Sequence, residues 1–404
     1  MTHPIDSGDT AWVLVSTALV LLMTPALAFF YGGMVRKKNI LSTLNLSFIM
    51  MGLMGVQWVL YGYTLAFGRD LGGFIGNLDF LGFQAVGTAP MNADSTIPHL
   101  AFAAFQMTFA VITPALISGA FVDRIKFSTY LVFSLLWASL VYDPLCHWVW
   151  GGGWIGDLGA LDFAGGTVVH IAAGFSALAF ALAIGPRKGF PDLPMEPHNI
   201  PYTVLGAGLL WVGWFGFNAG SALGANGLAA YALVNTNTAA AAAALSWMLL
   251  SWREGVPSVL GIATGAVVGL VAITPAAGFV TPVGALVIGA LASPVSFYAI
   301  RFREHHRLDE SLDVWACHGM SGTWGAIATG IFAVKEVGGV DGLLAGNPVQ
   351  LVIQVVSVLV TIAFVFVLTY GLAKLLDAVM GLRVSPMAEE VGLDLTEHGE
   401  RAYS

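Results

Sequence analysis

Apolar runs recur along the chain with short polar breaks between them. They cover residues 10–34, 40–67, 99–121, 129–149, 163–185, 202–221, 229–251, 258–277, 281–300, 314–334 and 350–378. At a rise of about 1.5 Å per residue, each is long enough to cross a hydrocarbon layer of about 30 Å. In lipid the backbone must satisfy its own hydrogen bonds, and barrel strands would alternate apolar with polar positions, so each run predicts a helix. Composition agrees, with 57% hydrophobic and only 10% charged residues. A soluble domain would carry about a quarter charged. The expected fold is all-α and integral to a membrane, with eleven transmembrane helices. Residues 1–378 form the transmembrane domain and 379–404 a cytoplasmic C-terminal tail, too short for a domain but suited to a docking strip.

The polar breaks set the topology. Basic residues follow the odd-numbered runs: Arg36, Lys37 and Lys38; Arg124 and Lys126; Arg187 and Lys188; Arg253; Arg301, Arg303 and Arg307; and Lys374, Arg383 and Arg401 at the end. Of the 16 Lys and Arg, only Arg69 and Lys335 fall on the other side. By the positive-inside rule the richer face is cytoplasmic, which puts the N-terminus outside and the C-terminus inside. No basic stretch precedes the first run, so a cleaved signal peptide is not expected.

Ile112-Thr113-Pro114-Ala115 in the third run returns as Ile273-Thr274-Pro275-Ala276 in the eighth. The copies sit five runs apart, and five is odd, so a second five-helix unit would be inverted. The expected architecture is two inverted five-helix repeats plus a final helix, with a substrate path between the halves. Glycine is frequent, at 49 residues, and Gly261, Gly265 and Gly269 form a stripe at four-residue spacing that lets helices approach closely.

Several chemistries are absent from the pattern. The net charge of −8 comes with no basic stripe, so nucleic acid is not a partner. Cys146 and Cys317 lie inside apolar runs with no zinc-type spacing, and neither a metal nor any other cofactor is implied. There is no HExxH, GxSxG or GxxxxGK[ST] segment, which argues against an enzyme and against an ATP-driven pump. A potassium-type TVGYG filter is also missing.

Ionisable residues inside apolar runs are costly and point to function. Asp162 and Asp313 open the fifth and tenth runs, where an Asp can either cap backbone N–H groups or contact a ligand. Asp143 and His147 fall near the outer end of the fourth run, where a solvated vestibule rim would hold them. His170 is about 12 Å past Asp162 and His318 about 7 Å past Asp313, so both approach mid-depth from opposite sides. They are read either as a pore-lining pair sharing a proton between ring nitrogens, each with another hydrogen-bond partner, or as two separately satisfied core histidines. Trp150 and Ser221 end the fourth and sixth runs, with Phe217 one turn before Ser221 and Phe105 and Phe109 paired in the third run. A tryptophan face, a hydroxyl and stacked phenylalanine rings suit a small cation that is shedding water.

The strings HWVWGGG (147–153), LDFAGGTVVH (161–170), GWFGFNAGSA (213–222), DVWACHG (313–319) and GLDLTEHGERAY (392–403) resemble the ammonium transporter family, Amt/Mep/Rh. The presence of both Trp150 and Ser221 resembles the Amt branch. The resemblance implies a homotrimer with one pore per subunit in the cytoplasmic membrane, conducting ammonium or ammonia. By position it implies that Trp150, Phe109 and Ser221 recruit the ion outside, with Asp162 as a supporting acid. Phe109 and Phe217 would then gate the pore, and His170 and His318 would line it. Phe105 and Thr264 are secondary candidates. It also implies docking of a PII-class nitrogen-signalling protein on the cytoplasmic face, with the tail linking subunits. A dry pore penalises the charged form of the substrate, so the proton is expected to leave near the rings and ammonia to cross along the histidines.

Overall fold

Local chemistry fixes where the helices begin. In the computed structural model, which describes residues 5–403, Asp6, Asn226, Ser258 and Thr281 each cap a helix by accepting from a backbone N–H three residues on. Pro282 and Pro348 occupy first-turn positions, where no N–H is needed.

Each apolar run holds a helix. α1 is Ser7–Met34, α2 Lys37–Phe67, α3 His99–Ala120, α4 Phe127–Asp157, α5 Gly166–Ile184, α6 Ile200–Gly220 and α7 Gly227–Glu254. α8 is Val259–Ile273, α9 Pro282–His305, and α10 runs through Trp315–Met320 into Ser321–Phe332. α11 is Pro348–Met380. Among the described residues, nine of these are long and apolar enough to cross a membrane, which makes this a multi-pass membrane-spanning helical fold. The other two are α8, which stops short at Ile273, and α10, diluted by His318, Ser321, Thr323 and Thr329.

Small residues bring the helices together. Gly206, Gly213, Gly216 and Gly220 of α6 sit directly on α1, and a Cβ at any of them would strike Phe30, Met23, Leu19 or Ser16. The stripe Gly261, Gly265 and Gly269 packs α8 on Trp247, Ala243 and Ala239 of α7. Without a hydrophobic force between helices in lipid, such close contact supplies the van der Waals attraction that holds the bundle.

A short hairpin, β1 Asp70–Leu71 and β2 Ile75–Gly76, covers the end of the bundle away from the tail. His147 pins it, with Nδ1 2.9 Å from the Ala66 carbonyl and Nε2 2.9 Å from Asp70 Oδ1. That hydrogen bond holds the exposed Asp70 carboxyl below its ordinary value. The rim expected around Asp143 and His147 is therefore not there. Both side chains are fully buried, and Asp143 accepts from Gln57 Nε2 at 2.7 Å.

At the opposite end a buried ionic network joins the connections after α1, α3, α5 and α9. Arg187 Nη2 lies 2.7 Å from Asp309 Oδ1, Arg36 Nε 3.2 Å from Asp123 Oδ2, and Arg124 Nη1 donates to Ser311 Oγ at 2.6 Å. Burial pushes Asp309 up, but the hydrogen bonds and charges of Arg187 and Arg124 outweigh it and hold the carboxyl below its usual value. The tail forms α12 Pro386–Val391 and α13 Leu393–His398 and lies along this plate. Asp394 accepts from Ser42 N at 2.9 Å, Glu397 from Phe127 N at 2.9 Å and Glu389 from Lys188 N at 2.5 Å.

Candidate functional site

Two wide helical turns aim the central histidines. Gly166–Ile171 and Trp315–Met320 are π-helical, and such turns rotate the side chains that follow them out of the regular register. α5 and α10 cross where Gly174 meets the backbone of His318 and Gly319, with no room for a Cβ on Gly174. That approach brings His170 Nδ1 to 3.2 Å from His318 Nδ1, with the rings 5.3 Å apart and nearly parallel at 29°. The two histidines therefore touch. His170 Nε2 is buried and has no partner within the protein.

Above the pair, the rings of α3, α4 and α6 converge. Phe217 lies 5.8 Å from His170, Phe109 lies 4.5 Å from Phe217, and Trp150 lies 5.9 Å from Phe109. Phe105 packs edge-on behind Phe109 at 5.0 Å and is fully buried. Trp150 is held by its Nε1, which donates to the Asp162 carbonyl at 2.9 Å. Ser221 donates to the Phe217 carbonyl at 2.8 Å, leaving the hydroxyl oxygen's lone pairs to accept from another donor.

Asp162 caps α5. Its carboxylate accepts from the backbone N–H of Gly165, Gly166 and Thr167 at 2.8, 2.6 and 2.8 Å, and from the Thr167 hydroxyl. Asp313 does not cap α10. Its carboxylate is taken by Arg303 Nε at 2.6 Å, and Glu310 accepts from Trp315 N instead, at 3.1 Å.

These side chains lie between two open chambers. On the hairpin side a cavity of about 560 Å³ is lined by Asp9, Asp94, Phe102, Trp150 and Asn226 among others. On the tail side a cavity of about 320 Å³ is lined by Thr264, Ser258, Tyr31, Asp313 and His318. A lumen of only about 10 Å³ lies between them, bounded by Phe217, His170, His318, Leu27, Ile112 and Trp214. Thr264 spends its hydroxyl proton on the Leu260 carbonyl at 2.9 Å.

Trp214 was not anticipated. It stacks on His170 at 5.4 Å and 23°, and its Nε1 donates to Thr274 Oγ1 at 2.9 Å. The signal was its place three residues before Phe217, which puts both on one helix face. Cys146 and Cys317 are free and buried, and among the described residues no His, Cys, Asp and Glu cluster could hold a metal.

A sequence profile described as Ammonium Transporter Family matches residues 11–403. The chain belongs to this family. Members similar to it include the ammonium transporter Amt1 of Archaeoglobus fulgidus, 51% identical over 99% of this chain and 100% of that protein. The ammonium transporter of Bacillus subtilis is 50% identical over 99% of both chains. Among solved structures, Candida albicans Mep2 superposes with a TM-score of 0.90 at 35% identity, covering 99% of this chain and 91% of that one. A structure described as a sensor Amt protein gives 0.90 at 30% identity, covering 97% and 98%.

Proposed function

We propose that this chain conducts ammonium across a cytoplasmic membrane, taking up the ion at the hairpin end and passing it through the lumen as ammonia. In this reading the eleven helices are eleven crossings, built as two inverted repeats plus α11. The hairpin end faces outward and the tail faces the cytoplasm, in keeping with the distribution of Lys and Arg. The protein acts as a transporter and not as an enzyme. Three copies assemble, each with its own pore, and the tail face receives a PII-class signalling protein. These last features rest on the family resemblance.

One observation carries the mechanism: an apolar, ring-capped lumen too narrow for a hydrated ion, with His170 and His318 in contact inside it. Trp150 and Phe109 offer π faces to a cation, and Ser221 offers lone pairs to an N–H donor. Asp162 supports this site indirectly, by fixing Trp150 through its carbonyl and α5 through its carboxylate. Phe109 and Phe217, 4.5 Å apart, obstruct the way in. An ammonium ion that reaches them loses its water, and the low dielectric beyond disfavours its charge. Its proton can leave, whereas the charge of potassium cannot. Ammonia then crosses along the imidazoles, which can donate to or accept from it.

The expected outcome of replacing His170 and His318 together with leucine is a drop of at least about tenfold in ammonium-evoked current, measured on supported membranes of reconstituted protein. Unchanged current and selectivity would defeat the mechanism. A second reading, in which the protein senses ammonium, is favoured by the tail's docking on the bundle and by the likeness to a sensor Amt protein. Liposome flux separates the two, since a sensor binds without conducting.

A further inference from the structure

Behind the lining of the tail-side chamber lies a carboxylate that the pathway above does not use. Glu310 lies in the connection between α9 and α10 and is fully buried. One oxygen accepts from Trp315 N at 3.1 Å, and the other has no partner. Among the described residues no basic side chain forms an ion pair with it. Arg303 of α9, the nearby cation, is committed to Asp313 at 2.6 Å and to the Leu308 carbonyl at 2.8 Å. The groups facing Glu310 are Asp313 and Arg303, with Tyr31 of α1 and Cys317 of α10 close by. Asp313, Tyr31 and Cys317, the groups around Glu310, line the chamber together with His318, while Glu310 itself is outside the lining.

A buried carboxylate with an idle oxygen and no ion-pair partner is costly to keep charged, which favours its taking up a proton. Burial first, and then the charge of Asp313, push this carboxyl up to about 7, against the pull of Arg303 and the N–H groups of Val314 and Trp315. Its place is equally telling, since it holds the first turn of the helix whose wide turn carries His318.

We propose that Glu310 is the proton-exchange group at the inner mouth of the pore. This rests on the conduction reading. An N–H bond of ammonium breaks at the ring pair, its electron pair staying on nitrogen to give ammonia. The proton passes along the histidines and chamber water to form an O–H bond on Glu310. That bond then breaks, and the proton goes to cytoplasmic water or back to ammonia in the chamber. No electrons are transferred and no further reactant is needed. Asp313 is a positioning residue, because its pairing with Arg303 leaves Glu310 without a neutralising cation.

The test uses full-length protein in proteoliposomes, with ammonium-evoked current recorded as the internal pH is varied and infrared spectra followed over the same range. Glu310 accepts a proton only while ionised, so wild-type current falls as internal pH drops through about 7. Glu310→Gln is expected to carry at least about tenfold less current at every pH, with ammonium binding retained. Glu310→Asp keeps the current and moves the midpoint. A carboxylic-acid band in the wild-type spectrum should titrate near pH 7 and be absent from Glu310→Gln. A carboxylate that only caps α10 predicts a Glu310→Gln current and pH profile like the wild type's; that result, or no titrating band, overturns the proposal. If wild-type protein carries no ammonium current, the conduction reading fails, and the infrared titration still decides whether Glu310 exchanges protons. If Glu310→Gln does not fold, Glu310→Asp and the wild-type band decide.

Discussion

At the scale of single residues, Asp162 has the heaviest local burden. It satisfies three backbone N–H groups and a hydroxyl at the start of α5, and each buried donor left unpaired costs about 1–3 kcal/mol. Asp162→Ala is therefore expected to lower thermal stability markedly and to abolish conduction. Asp162→Asn, which keeps one acceptor oxygen, should fall between the two. Full stability in Asp162→Ala, read from a melting curve in detergent, would contradict this account. Sequence left capping and ligand contact open here, because an aspartate at a helix start serves either. At Asp313 the same rule leaves out the actual partner, Arg303, which comes from the preceding helix and is invisible to local pattern. Asp143 and His147 were misplaced for a similar reason. Nothing near them in the chain announces that Gln57 and the hairpin will cover them.

At the scale of elements, hydropathy located the helices well and their ends less well. α8 stops at Ile273, four residues before its apolar run does, because Thr274 to Phe279 fold into turns. The wide turns at Gly166–Ile171 and Trp315–Met320 had no signature, since an extra residue per turn leaves composition unchanged. Depth along each helix put His170 and His318 near mid-membrane, but their contact needs two helices to cross, and that depends on Gly174 and Gly319. Gly174→Val should push α5 away from α10 and break the Nδ1–Nδ1 contact. Reconstituted Gly174→Val protein is expected to lose ammonium flux by at least about tenfold while remaining soluble in detergent as an assembled particle. Wild-type flux in this variant would mean that the crossing does not set the pore.

At the scale of the whole molecule, charge distribution along the chain gave a topology, but not the buried network that ties four connections together on the tail side. Asp123, Asp309, Arg36, Arg124 and Arg187 come from distant segments and meet only in the folded bundle. The tail docks beside them: Asp394 and Glu397 accept from N–H groups of α2 and α4, Glu389 accepts from the Lys188 N–H, Glu390 pairs with the Lys188 ammonium, and Lys38 donates to the Glu389 and Glu390 carbonyls. The two chambers and the tight lumen between them are likewise a property of the assembly, and they carry the central claim: charge is stripped at the rings and a neutral amine crosses. The most direct test is selectivity in proteoliposomes of wild-type protein, with ammonium and potassium offered at equal concentration and potential. Wild-type vesicles should take up ammonium robustly while potassium passes only at the level of empty vesicles. Potassium passing as readily as ammonium would contradict that claim.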